Sequence, residues 1–442
     1  MEAFAELSAL ASRFKDLGAT RVFYKLLREN DNSKQQIYLG GSFEVLTFFP
    51  YGPVRAESAS KDPTFKAPLE FFWVGPDTLD KAVGAQLILY PQYPEVRLSG
   101  FLQGCRHAPN EHLRPVPKDL RRGVDGRVLF FGTTPDGRTL AHLAPAGTPL
   151  AVEAVLAPHT DGTLFRELAL PGTPAGDSKS LVLARLREIQ QMGPIPSMRL
   201  DRHGQRMPYR ARNGGGYTLE ALLGIKPNAE AAPDFMGWEI KAFSGDRITL
   251  MTPEPDGGYY GTNGVGAFVR RYGRAVAGKD QRYFTGIHQF GQRNTTTNMT
   301  LLLTGFNASK GVITDVAGRI VLADTQGDEA ATWSYTQLLT HWNRKHASAA
   351  YVPFKSAEPD PPSYRYTNPV LLGEHTDFAR YLTALSAGLV VFDPGSKIDG
   401  VSSSRPKVKA RSQFRISKRR LSALYESFEA VDLLGQRKLS AE

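Results

Sequence analysis

Apolar residues recur at helical spacing across residues 3–17, which predicts an amphipathic helix at the start of the chain. Beyond it the period shortens. Residues 21–28 and 37–39 read as strands on either side of a polar loop, 29–36. Further strand-like runs follow at 44–49, 69–73, 85–90, 95–99, 126–131 and 151–157, with Pro and Gly between them. Many short strands with turn signals and few helices predict a compact, β-barrel-like first domain. The Pro/Gly/Ser-rich segment 170–178 then breaks the pattern and reads as a linker. The expected domains are therefore 1–172 and 178–442.

Helical and strand-like segments both occur in the second half, and the chain as a whole is expected to be a two-domain α+β protein. Residues 181–192 form an amphipathic helix with Leu181, Ala184, Leu186, Ile189 and Met192 among its apolar positions. A basic, irregular stretch, 198–213, carries Arg199, Arg202, Arg206, Arg210 and Arg212. Thr218 reads as the N-cap of a short helix that Gly224 ends, which puts Glu220 in its first turn. From Trp238 the pattern alternates, so Trp238 and Ile240 face one side of a strand and Glu239 and Lys241 the other. A turn at 244–246 and a second strand at 247–252 predict a hairpin. Later helices are expected at 263–272, ending in Arg270 and Arg271, and at 333–344, with Trp333, Leu338 and Trp342 in the core. Strands are expected at 300–304, 319–323, 351–355 and 389–393. Residues 407–415 alternate basic or polar side chains with Val408, Ala410, Ser412 and Phe414, as a strand with one packed face would, and a helix follows at 421–428.

Composition narrows the function classes. At 442 residues with a net charge of +10, the chain has room for sizeable cores and favours a polyanionic partner, either nucleic acid or an acidic membrane surface. A single cysteine, Cys105, excludes an intrachain disulfide framework and cysteine-based zinc modules, and fits a reducing cytosol. Glu2 and Glu6 interrupt the N-terminal segment and no apolar run is long enough to span a bilayer, so a soluble cytoplasmic protein is expected. There is no Gly-Lys-Ser/Thr phosphate loop, and Gly264-Val-Gly266 lacks the rest of a dinucleotide fingerprint. His341 and His346 have the wrong spacing for a zinc helix, and no G-x-S-x-G elbow is present. Among the histidines, His107 and His288 are the candidates for base contacts.

The residues with a chemical reading lie at 233–241, Pro-Asp-Phe-Met-Gly-Trp-Glu-Ile-Lys. Two carboxylates, Asp234 and Glu239, and the Lys241 ammonium can meet at one strand end, hold a divalent cation and position a water. Asp, a short gap and Glu-x-Lys resembles the PD-(D/E)XK nucleases. With the Gly214-Gly215-Gly216 lead-in and a helix bearing Glu220, the run 214–243 is similar to the MvaI/BcnI restriction endonucleases, themselves similar to the repair nickase MutH. The resemblance implies a restriction-endonuclease-like, MutH-like α/β fold for the second domain. It implies Mg²⁺ held by Asp234, Glu239 and the Ile240 carbonyl, with Lys241 orienting or deprotonating the attacking water. Glu220 would bind a metal water or a second cation, or would serve structurally at the helix start.

The segment 23–38 is similar to the N-terminal effector-binding domain of EcoRII, a DNA-binding pseudobarrel. That resemblance implies two loop arms around double-stranded DNA. The first carries Asn30, Lys34, Gln36 and Tyr38. The second, placed by position and composition at 103–114, carries Arg106, His107, Asn110, Glu111 and Arg114, side chains that can read base edges. Arg210, Arg212 and Arg270 are further candidates for DNA contacts, as are Lys407, Lys409, Arg411 and Arg415 along a groove-facing strand. The two resemblances together imply a monomeric Type IIE restriction enzyme that binds one copy of its site per domain, with 5′-CCWGG the expected target. A strand-nicking repair enzyme that needs partner proteins, and a non-catalytic DNA-binding regulator, are the competing readings. The DNA-reading first domain weighs against the former and the intact Asp234, Glu239 and Lys241 against the latter.

Overall fold

The structure, a computed structural model, describes residues 4–29, 31–33, 36–59, 62–114, 117, 119, 126–158, 164–172, 178–211, 213–225, 235–357 and 362–435. The chain divides into two compact units, Met1–Ala175 and Gly176–Glu442.

In the first unit the predicted helix is present as Leu7–Asp16, burying Leu7, Leu10, Ala11 and Phe14. One six-stranded sheet runs in the order Arg166–Leu168, Arg21–Leu26, Val128–Thr133, Arg138–Ala144, Glu70–Val74, Leu79–Ala82. A second runs Asn32–Ser33, Gln36–Gly40, Glu95–Ser99, Gln86–Tyr90, Thr64–Pro68, Arg55–Glu57. The first sheet is buried on both faces. Val22, Tyr24, Phe130 and Leu140 pack with Leu10, Phe14, Leu150 and Ala154. Phe23 and Phe131 point the other way, into a cluster with Phe49 and Phe165 in which Phe23 lies 5.4 Å and 5.0 Å from those two rings. Among the described residues neither sheet closes into the expected barrel. Short strands with turns between them look alike in sequence whether the sheets close or stack.

Two predicted strands are helical. Residues 44–48 fall in a 3₁₀ helix, Phe43–Phe48, with Phe49 its extended C-cap, and the Ser42 hydroxyl accepts from Glu44 N at 3.1 Å. Residues 151–156 fall in the α-helix Pro149–Leu156, with Ala157 its C-cap, where the Thr148 hydroxyl accepts from Ala151 N and proline occupies the first turn. That Thr-Pro pair is a helix-start signal, while Val152 and Val155 behind it suit a strand.

The second unit is organised on a sheet ordered Ile195–Pro196, Ser363–Tyr366, Ser348–Ala357, Val370–Glu374, Ser427–Val431. Glu239–Phe243 joins it parallel to Ser348–Ala357, Glu239 opposite Ala349 and Lys241 opposite Tyr351. Helices Ser178–Gln191 and Gly214–Leu223 cover one face, so Val182, Leu186, Leu219 and Leu222 pack with Trp238, Ile240, Ala350, Val352 and Leu372. The expected hairpin does not form. Arg247–Met251 pairs with Phe414–Ser417, which also pairs with Val390–Phe392. The turn after Phe243 thus carries the chain from one sheet to another.

Helix boundaries shift as well. The helix expected at 263–272 is Gly258–Tyr272, kinked where Gly264 takes φ 78° and ψ 168°. Tyr335–Lys345 starts one residue after its cap, Ser334, and Trp333 ends the preceding strand; Trp333, Leu338 and Trp342 are all fully buried. Strands cover the expected 300–304, 319–323 and 351–355, and most of 389–393. The strand expected at 407–415 is two pieces, Lys407–Lys409 and Phe414–Ser417, in different sheets. Ser412, Phe414 and Ile416 are buried as alternation requires, but Val408 and Ala410 are exposed. The helix expected at 421–428 is a 3₁₀ helix, Lys418–Leu424, followed by the strand Ser427–Val431. Among the described residues no helix is long and apolar enough to cross a membrane.

Candidate active site

The helix Gly214–Leu223 begins earlier than its sequence suggests. Its N-cap is Asn213, and Thr218 lies inside it, exchanging hydrogen bonds with the Met198 backbone at 3.0 and 3.2 Å. Glycine is required by close approach here. A Cβ on Gly215 would sit 2.4 Å from the Phe354 ring, and one on Gly214 would sit 2.5 Å from the hydroxyls of Ser197 and Tyr364. Gly224 does end the helix, left-handed at φ 76°. Glu220 is therefore in the second turn, beyond reach of the helix-start dipole argument. It is half-buried, and its charge joins burial and Tyr364 in pushing the Tyr366 phenol up.

A tight turn precedes the strand. Phe235 and Trp238 exchange backbone hydrogen bonds at 3.0 and 2.9 Å across Met236 and Gly237, whose φ values are 49° and 82°. Two positive φ angles define the primed turn that matches strand twist. Trp238 and Ile240 then face the core, 2% and 5% exposed. Glu239 and Lys241 share the opposite face, and Lys241 Nζ donates to Glu239 Oε1 at 2.8 Å. Glu239 is only 4% exposed, so the ammonium offsets the desolvation of its carboxylate.

The same face holds two residues that sequence reading missed. Tyr351, the neighbour of Lys241 in register, and Tyr425 are fully buried with their hydroxyls 2.7 Å apart. Both phenols are pushed up by burial, with the Glu239 charge contributing to each. Room for the Tyr425 ring comes from Gly373, where a Cβ would lie 2.4 Å from it. These residues stand more than a hundred positions after the motif, and no local pattern links them to it.

Oxygen donors dominate this strand end: the Glu239 carboxylate and the main-chain carbonyl of Ile240, with no sulfur or imidazole in the pair. Such a set fits a hard cation of the magnesium type. Among the described residues no three His, Cys, Asp or Glu side chains gather as a metal site. Asp234 lies outside those residues, as do Asn30, Lys34 and Arg212.

The basic elements sort by what they already hold. The stretch expected to be irregular contains a hairpin, Met198–Leu200 with Arg206–Pro208. Asp201 Oδ1 accepts from His203 N and Gln205 N in its turn, both at 2.8 Å, and leaves Arg202 and Arg206 exposed. Arg210 is also exposed. Arg270 donates to Val401 O at 3.2 Å. Lys407, Lys409 and Arg411 are exposed, whereas Arg415 is half-buried. Its guanidinium joins Asp393 at 2.7 Å and the Arg247 carbonyl at 3.0 Å, fastening neighbouring strands. His288 is fully buried, with its pKa lowered to about 4 by that burial.

In the first unit, Gln36 accepts weakly from Tyr90 OH at 3.5 Å and Tyr38 receives the Lys25 ammonium over its ring at 5.4 Å. Tyr38 also lines a cavity of about 470 Å³ with Lys25, Arg28, Asp31 and Arg97. Arg106 and His107 donate their backbone N–H groups to Asp80 Oδ2, both at 2.6 Å, which leaves their side chains exposed. Asn110 is exposed, and Glu111 pairs with Arg114 at 2.9 Å, a surface ion pair of small energetic weight.

Residues 183–425 match the family model described as the MvaI/BcnI restriction endonuclease family. Among solved structures the chain is similar to the restriction endonuclease MvaI–cognate DNA substrate complex, at 20% identity over 58% of this chain and 99% of that one, with a TM-score of 0.43. It is also similar to restriction endonuclease MvaI in the absence of DNA, at 16% identity over 59% of this chain and 100% of that one, with a TM-score of 0.32. No curated protein matches it significantly.

Proposed function

Since the chain belongs to the MvaI/BcnI restriction endonuclease family, and so is a site-specific DNA endonuclease, we propose that Glu239 and Lys241 are the centre of its phosphodiester hydrolysis. The observation that carries this is the buried carboxylate and its ammonium partner, 2.8 Å apart on one strand face. Asp234, Glu239 and the Ile240 carbonyl would hold a divalent cation, expected to be Mg²⁺, which supplies charge neutralisation at the phosphate and a more acidic water. Lys241 orients the attacking water and relays its proton, the ammonium passing one proton to solvent as the amine so formed takes one from the water. The water oxygen bonds to phosphorus, one ester bond breaks, and the departing oxygen takes a proton from solvent. Glu239 fixes Lys241 while it does so. Glu220 would hold a metal-bound water or a second cation. Arg210 and Arg212, with the exposed arginines of the hairpin before them, hold phosphates flanking the scissile bond.

Finer features belong to the same proposal. The enzyme is of Type IIE, a monomer that cuts duplex DNA at 5′-CCWGG one strand at a time in the cytoplasm. Its first unit is an EcoRII-like effector-binding domain that binds a second copy of the site between the arms carrying Asn30, Lys34, Gln36 and Tyr38, and Arg106, His107, Asn110, Glu111 and Arg114. Arg270, Lys407, Lys409 and Arg411 contact DNA in the second unit. Support comes from the exposure of the described members of these sets, except that Gln36 and Tyr38 are half-buried.

The deciding experiment incubates the full chain with unmethylated phage DNA, with and without Mg²⁺, beside Lys241→Ala. Discrete Mg²⁺-dependent fragments are expected from the wild type, and a loss of roughly a hundredfold or more in the variant. Equal cleavage by the variant removes Lys241 from the mechanism. Fragment ends test the target sequence.

A further inference from the structure

Residues 286–299 form a polar loop between the strands Gln281–Thr285 and Thr300–Thr304. Its frame is unusually well tied. His288 exchanges backbone hydrogen bonds with Phe392 at 2.8 and 3.0 Å, and its ring stacks on Phe284 at 5.8 Å. From there His288 Nε2 reaches the Thr297 hydroxyl at 2.8 Å. Asn294 braces the interior: its side-chain oxygen accepts from Thr296 N at 2.9 Å and Thr297 N at 3.0 Å, and its Nδ2 donates to Ile287 O at 2.7 Å. The Asn294 backbone bonds Met299 O and Asn298 N, and Met299 is 2% exposed. Gly291 N donates to Leu301 O at 2.9 Å, which fixes the other limb.

This bracing presents Gln292, Arg293, Thr295 and Thr296 to solvent. Their side chains make no hydrogen bond or ion pair among the described residues. A frame held this firmly under unpartnered polar side chains lowers the ordering cost of recognition. The side-chain chemistry also discriminates. A phosphate clamp needs cations, and the loop has one arginine and no lysine. Glutamine offers a donor and an acceptor together, which suits adenine N6 and N7; arginine offers the fork that suits guanine O6 and N7. The threonines add methyl groups of the kind that touch thymine.

We propose that the loop 286–299 reads base edges in duplex DNA, with Arg293 and Gln292 as the specificity-determining residues and buried His288 as the post that positions them. The inference rests on the endonuclease reading above. It gives His288 a supporting role where its sequence suggested a direct base contact.

The test uses the full chain and the duplex defined by its own cleavage ends, compared with a scrambled duplex, by fluorescence anisotropy. Arg293→Ala and Gln292→Ala should each reduce the ratio of target to scrambled affinity about tenfold or more. Arg293→Lys keeps the charge and loses the fork, so it should not recover the ratio. An unchanged ratio in both alanine variants overturns the inference and leaves the endonuclease reading standing. Full recovery by Arg293→Lys also overturns it, since the contact would then be with phosphate. If the wild type neither cleaves nor prefers any duplex, the endonuclease reading falls and takes this inference with it.

Discussion

At the residue scale, two histidines show how burial sets charge. His142 bonds Val74 O through Nδ1 at 2.8 Å and meets Phe4 edge-on, and His288 sits between Phe284 and Phe392. Burial lowers each from 6.5 to about 4. Both are therefore neutral when folded at neutral pH, whereas the unfolded chain binds protons as the pH drops below 6.5. The stability that depends on their neutral form is complete above pH 6.5 and is lost as the pH falls to about 4, up to roughly 3 kcal/mol each. His288→Gln keeps a hydrogen-bonding group towards Thr297 and cannot titrate. Its urea midpoint should fall less than that of the wild type between pH 6.5 and 4, and parallel curves would refute the assignment. The Glu239 and Lys241 pair was legible because a strand's period of two is a strict rule. The burial of His288, the Arg415–Asp393 pair and the tyrosines beside Glu239 were not, because each depends on elements far apart in sequence.

At the element scale, the helix Gly214–Leu223 separates propensity from packing. Three glycines in a row read as a lead-in to the helix, yet all three are helical. Two are there because the helix approaches Phe354, Ser197 and Tyr364 too closely for a side chain, while a Cβ on Gly216 would meet nothing within 4 Å. Gly215→Ala should thus cost about 1–3 kcal/mol through overpacking. Gly216→Ala should be neutral or should stabilise by about 0.5–1 kcal/mol. Chemical denaturation of the two variants checks this, and similar losses in both would show that the helix does not sit where described. The same lesson covers 44–49 and 151–157. Short apolar runs do not declare their period, and a cap residue decided both cases.

At the scale of the whole molecule, the division into two units places the family match, 183–425, within the second. The linker expected at 170–178 lies largely outside the described residues, and the open sheets of the first unit were not legible, because strand count carries no information on closure. If catalysis belongs to the second unit, residues 178–442 expressed alone should keep Mg²⁺-dependent cleavage at the same positions as the full chain. A fragment that melts cooperatively but does not cut would assign the first unit an obligatory part in activity. The net charge of +10 predicts that binding weakens steeply with salt for the full chain, so both proteins must be compared at one ionic strength.

The kink at Gly264 has a consequence for local opening. With φ 78° and ψ 168°, a backbone conformation largely reserved for glycine, it divides Gly258–Tyr272 into two short rods, one carrying Tyr260 inward and the other Phe268 and Val269. Helices so short are marginal on their own, so each rod persists only through the contacts of its buried side chains. The rods should then exchange their amide protons as separate cooperative units, with Phe268 and Val269, which are 2% and 0% exposed, protected longer than Tyr260 at 8%. One uniform protection profile from Tyr259 to Tyr272 would mean that the helix opens as a single rod.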